Sequence, residues 1–207
     1  MKLWEGGSAL LADHFEKVEF DSDARVSPVG DSTLARTWGD VLKRLGQTKV
    51  ALVDDPSLET REGEGHCGIR CQQPPVILAG PAARNGAGAG EISFALGRAL
   101  YFTRPEAVMM AGLERRAFSG ILSATLLAFH PRHSRRKHHV KSKDDPVATL
   151  SQELARKLPI RIARQLTAVF KEHEQDTFDS TAWRAVVRRN GNRVGLAVSG
   201  DLGASLK

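Results

Sequence analysis

Cysteine is nearly missing from this chain of 207 residues: there are two, Cys67 and Cys71, and pairing them would close only a very short loop. A disulfide-built secreted scaffold is therefore excluded, and a reducing cytoplasm is the default location. Long apolar runs are missing as well. The most apolar stretch, 121–129, contains Ser123 and Thr125 and falls far short of the roughly 20 residues that span a bilayer, so no membrane insertion is expected. Met1 to Leu11 carries one Lys and a brief apolar stretch before acidic residues, which is not the pattern of a signal peptide. No internal repeat is visible, and no Ser-His-Asp or Cys-His set can be assembled, because such sets are defined by geometry.

What is present describes a folded domain. Hydrophobic residues make up 41% and charged residues 26%, an ordinary balance for a packed core. The formal charge of +6 favours acidic partners, whether nucleic acid, anionic membrane or an acidic protein face.

Ser8 is a candidate cap for a helix carrying Leu10, Leu11, Phe15 and Val18, and Asp31 or Ser32 for one carrying Leu34, Trp38, Val41 and Leu42, which Gly46 ends. Lys49 to Val53 predicts a strand. Pro75 to Leu78 predicts a second, near a sheet edge because Pro74 and Pro75 open it. Helical spacing of Ile92, Leu96, Ala99 and Phe102 predicts a helix from Glu91 to Thr103, and 106–129 reads as one helix or two. Val147 to Leu158 and Ile162 to Phe170 predict an antiparallel helical pair split by Pro159. A last helix starts near Thr181, places Trp183, Val186 and Val187 on one face, and is interrupted by Gly191 and Gly195. The order predicts a mainly helical α+β domain over 49–207, with a small sheet before the Glu91 helix and an N-terminal helical segment, 1–48, packed on it.

The strand, loop and helix ending in Gly90-Glu91-Ile92-Ser93-Phe94-Ala95-Leu96-Gly97-Arg98 resemble the active-site region of HtpX-like and CaaX-protease-like zinc metallopeptidases. In that family a His-Glu-x-x-His motif holds zinc on one helix face while the Glu activates water. The later segment 190–201 resembles the element that supplies the third ligand, with Arg193, Gly200 and Asp201 matching. By this resemblance the metal-ligand positions are Gly90, Phe94 and Asn190, the position of a supporting Asp is Asn192, and Glu91 is a vestigial general base. Gly and Phe have no donor atom and Asn is a poor zinc ligand. The resemblance thus implies a degenerate, non-catalytic module without metal or cofactor. Such domains are found in long bacterial repeat-containing proteins, and a protein partner is expected. Glu91 also reads simply as a first-turn acid favoured by the helix dipole, and Phe94 and Leu96 as core.

Three other constellations carry chemistry. The segment 130–143 concentrates His130, His133, His138 and His139 with Arg132, Arg135, Arg136, Lys137, Lys141 and Lys143, a candidate polyanion or nucleic-acid site or a solvated loop. It has no interleaved aromatic to stack bases. His66, Cys67 and Cys71 form a possible ligand trio lacking a second pair. Gly86, Gly88 and Gly90 precede a helix as in phosphate-binding loops, without the Lys-Ser/Thr ending of a P-loop.

Overall fold

A computed structural model describes residues 2–12, 20–47, 49–58, 66–134, 145–201 and 203. The helices are α1 (Lys2–Leu11), α2 (Thr33–Leu45), α3 (Pro81–Asn85), α4 (Ala89–Phe102), α5 (Val108–Gly112), α6 (Arg115–Phe129), α7 (Pro131–Ser134), α8 (Pro146–Lys157), α9 (Ile160–Glu172) and α10 (Ser180–Ser199). The strands are β1 (Ala51–Asp54), β2 (Cys67–Arg70) and β3 (Val76–Ala79). The chain is a mainly helical α+β protein with one small mixed sheet, as its sequence predicts.

The sheet order is β1-β3-β2, with β1 parallel and β2 antiparallel to β3. The strand after Pro74 and Pro75 is thus central, not near an edge. Both prolines precede the first ladder residue, Val76, so their missing N–H groups cost the sheet nothing. Alternation sends Leu52 and Ile77 to one face, against α2 and α4, and Val53, Val76 and Leu78 to the other, against Phe20, Ala24 and Leu58.

Local signals set several boundaries. Ser32 caps α2 by accepting from the Ala35 N–H at 3.1 Å, and Gly46 closes it in the left-handed region at φ 61°. α1 begins earlier than Ser8 suggests. Leu3, Trp4, Ser8 and Leu11 are all buried on one stripe, which places Ser8 inside the helix, while Phe15 and Val18 lie outside the described residues. The segment 106–129 is two helices, α5 and α6. α8 and α9 do not pair chiefly with each other: α8 packs on α6, and α9 on α1 and α6, so α6 is the shared support.

Three apolar clusters result among the described residues. One gathers α1, α5, α6, α8 and α9 around Leu11, Val108, Ala124 and Leu154; the second gathers α2, α4 and one face of the sheet around Trp38, Ile77 and Leu96; the small third lies on the other sheet face around Val53, Val76 and Leu78. The segment 1–48 contributes to all three, α1 to the first, α2 to the second, and Phe20 and Ala24 to the third.

α10 runs unbroken through Gly191 and Gly195, contrary to the interruption expected there. Each glycine costs about 1 kcal/mol in a helix interior. Tertiary packing offsets this. A Cβ on Gly195 would lie 2.7 Å from the Phe94 carbonyl oxygen, one on Gly191 would lie 2.4 Å from the Phe102 ring, and one on Gly97 would meet Val198 at 3.0 Å. α4 and α10 therefore pack antiparallel with backbones nearly in contact, forming the most extensive helix pair of the protein.

Gly195→Ala should lower stability by about 1–3 kcal/mol in urea titrations, with Gly191→Ala milder because a ring can shift where a carbonyl cannot. Gly120→Ala, where no atom lies within 4 Å, should be neutral or stabilising by up to about 1 kcal/mol. Equal effects at all three positions would mean that close approach does not require the glycines.

Candidate functional site

Gly88 is the cap residue before α4, and Glu91 is the third residue of the helix. The Glu91 carboxylate turns back and accepts a hydrogen bond from the Gly88 N–H at 2.9 Å. This holds the side chain at the helix N-terminus, where the dipole favours an anion. It also occupies the N–H that a phosphate at the Gly86–Gly90 turn would use.

The three ligand positions implied by the metallopeptidase resemblance are spread along the α4–α10 pair. Gly90 sits in the first turn of α4. Phe94 is half-buried against Gly195 rather than a core residue, whereas Leu96 is fully buried. Asn190 lies beside Tyr101, its amide 3.4 Å from the phenol oxygen. Tyr101 is seven residues beyond Phe94 and eleven beyond Gly90, offsets of roughly 10 and 16 Å at 1.5 Å per helical residue. The pair therefore brings together the two segments of the resemblance but not its three ligand positions. Asn192 and Arg193 are exposed, Gly200 caps α10 in the left-handed region, and Asp201 follows it on the surface.

Of the basic cluster, only its start is described. Arg135, Arg136, Lys137, His138, His139, Lys141 and Lys143 lie outside the described residues. Arg132 is exposed, hydrogen-bonds Gln175 and lies 4.0 Å from Glu174, so it braces the link between α9 and α10. His130 does not belong to a solvated loop: it is 1% exposed and stacked among Phe170, Phe178 and His133. The Arg132 N–H donates to His130 Nδ1 at 3.2 Å, and His133 Nδ1 lies 3.1 Å from the same atom. Nε2 is buried with no hydrogen-bond partner among the described residues.

Cys67 and Cys71 bracket β2. Four steps along an extended strand separate them by roughly 13 Å, well beyond the 7 Å or so that a disulfide tolerates. Burial pushes both thiols up to about 12, which suppresses the nucleophilic thiolate. Among the described residues no group of three or more His, Cys, Asp or Glu side chains could share a metal ion, the set of His66, Cys67 and Cys71 included. No helix among them is long and apolar enough to cross a membrane.

An apolar cleft of about 620 Å³ lies between α5, α6, α9 and the start of α10. Met109, Met110, Phe118, Leu122, Phe170 and Trp183 line it. Its aromatic wall is continuous, with ring centroids 5.4 Å apart for Phe170–Phe178 and 5.7 Å for Phe178–Trp183. Two acids at the mouth are each paired, Glu106 with Arg104 at 3.1 Å and Asp176 with His173 at 2.7 Å. Apolar surface extends past the rim: Val169 is 47%, Trp183 39% and Val186 46% exposed. Val187 alone of the expected Trp183-Val186-Val187 face is buried.

Sequence reasoning missed this cleft. Trp183 was visible as part of a helix face with Val186 and Val187, but nothing in the sequence joined that face to Met109, Met110 or Phe170.

Comparison with family models, curated proteins and solved structures returned no match.

Both thiols should resist a disulfide reagent at pH 8 in the native protein and react promptly after unfolding. Glu91→Ala should cost about 1 kcal/mol through loss of the N-terminal hydrogen bond, and Glu91→Gln, which keeps an acceptor, less than half of that. Rapid native labelling of Cys67 would show that its burial does not control its reactivity.

Proposed function

We propose that this chain is a non-catalytic interaction module, built on a metallopeptidase-like helix pair, that binds another protein through the cleft between α6, α9 and α10. The observation that carries this is the cleft itself. It is concave, apolar and aromatic-walled, with half-exposed Val169, Trp183 and Val186 continuing it onto the surface. Apolar surface of this kind, edged by polar residues, marks protein-binding sites. Methionines such as Met109 and Met110 adapt to varied partner side chains.

The absence of catalysis rests on chemistry rather than on an empty site. Gly90 and Phe94 offer no donor, Asn190 lies beside Tyr101, and the Glu91 carboxylate is engaged by the Gly88 N–H. The close packing of the two resembling segments supports a metallopeptidase-like origin, and the offset of Asn190 counts against it. The interaction reading depends on neither.

Tag-free protein should contain no stoichiometric zinc by elemental analysis and should not hydrolyse casein. It should bind an apolar fluorescent dye near one equivalent, and Leu122→Glu, which puts a charge inside the cleft, should weaken that binding about tenfold. Bound zinc with peptide cleavage, both lost in Glu91→Ala, would overturn the proposal; so would a native protein that takes up no dye.

A further inference from the structure

The cleft adjoins a helix whose charge is one-sided. α10 carries Arg184, Arg188, Arg189 and Arg193 and has no Asp or Glu from Ser180 to Ser199. Val186, Arg189 and Arg193 fall at i, i+3 and i+7 and form one outer strip, all three exposed. The strip starts beside Trp183, which lines the cleft, and runs away from it towards Gly200. Three acids near the cleft end are engaged: Glu106 in an ion pair with Arg104, Asp176 in a hydrogen bond with His173, and Asp179 in capping α10 through the Thr181 N–H at 2.8 Å. From the cleft outwards the surface therefore passes from apolar to basic.

We infer that the occupant is an acidic amphipathic helix of a partner protein. Its apolar side chains enter the cleft against Trp183 and Leu122, and its carboxylates, about two to three turns further on, face Arg189 and Arg193. This rests on the reading of the cleft as a protein-binding site and specifies the partner's chemistry. A small apolar ligand would fill the cavity but leave Val186 and the arginine strip uncovered, whereas a helix laid along α10 covers both. Apolar anchors supply affinity in such helix-in-groove contacts, and complementary charge fixes orientation and excludes wrong partners.

The test uses two fluorescein-labelled helical peptides of about 18 residues, five turns, with the same Leu/Phe face and either Glu or Lys on the flank. Fluorescence anisotropy with the full chain should show the Glu peptide binding about tenfold tighter at low salt, with the gap closing as salt screens the arginines. Arg189→Glu with Arg193→Glu should reverse the preference, and Trp183→Ala should weaken both peptides. Val186→Ser, at an exposed position, serves as a second cleft-edge variant if Trp183→Ala unfolds. Equal affinity for the two peptides would overturn the acidic partner while leaving the cleft reading intact. Binding of neither peptide by protein with native circular dichroism would overturn both. Tight binding of an RNA or DNA oligonucleotide that needs Arg189 and Arg193 but ignores Trp183→Ala and Val186→Ser would replace the helix by a polyanion.

Discussion

Two helices can approach until backbone meets side chain only where one of them carries no Cβ, and the contact of α4 with α10 depends on that condition at Gly97, Gly191 and Gly195. α4 covers the sheet and α10 covers α4, so their separation sets the thickness of the layer over Ile77 and Leu96. It also sets where the N-terminal half of α10 projects. Hydrogen bonds then fix that end against α6: Arg115 reaches the Thr181 hydroxyl at 2.9 Å, and Arg184 reaches the Leu113 carbonyl at 2.8 Å. The position of Trp183 at the cleft follows from a contact several turns away.

The residues of the family resemblance acquire structural roles in this arrangement. Phe94 lies over Gly195, Asn190 meets Tyr101, and Glu91 stabilises the start of α4. A general base needs a free lone pair pointed at a water that something else polarises. The Glu91 carboxylate turns instead to its own helix N-terminus, accepting from the Gly88 N–H at 2.9 Å.

Whatever was decided within one or two turns was legible in the sequence: the Ser32 cap, the Gly46 stop, the break at Pro159 and the mainly helical class all rest on neighbours in the chain. What depended on distant partners was not. β2 is four half-buried residues with a glycine and no alternation, and it exists because β3 offers an open edge. Gly191 and Gly195 carry the intrinsic cost of helix breakers, and only the presence of α4 reverses that reading. His130 reads as one more cation in a basic run, yet it is walled in by Phe170 and Phe178 from beyond α8. The cleft belongs to the same class, since Met109, Phe118, Phe170 and Trp183 converge only after α5, α6, α9 and α10 have packed.

That the cleft stays open carries information of its own. Each large apolar side chain left half in water forgoes on the order of 1 kcal/mol of burial, and Val169, Trp183 and Val186 all do so along one continuous edge. Net stabilities are small enough for such a sum to matter. The aromatic wall behind the edge is continuous, with successive rings packed edge to face. On the proposed reading, the burial forgone in the free protein is recovered when a partner covers that margin. Poor packing alone would leave irregular gaps scattered through the core. Here three such side chains, Val169, Trp183 and Val186, share the margin of one cleft, next to a helix that carries four arginines and no acid.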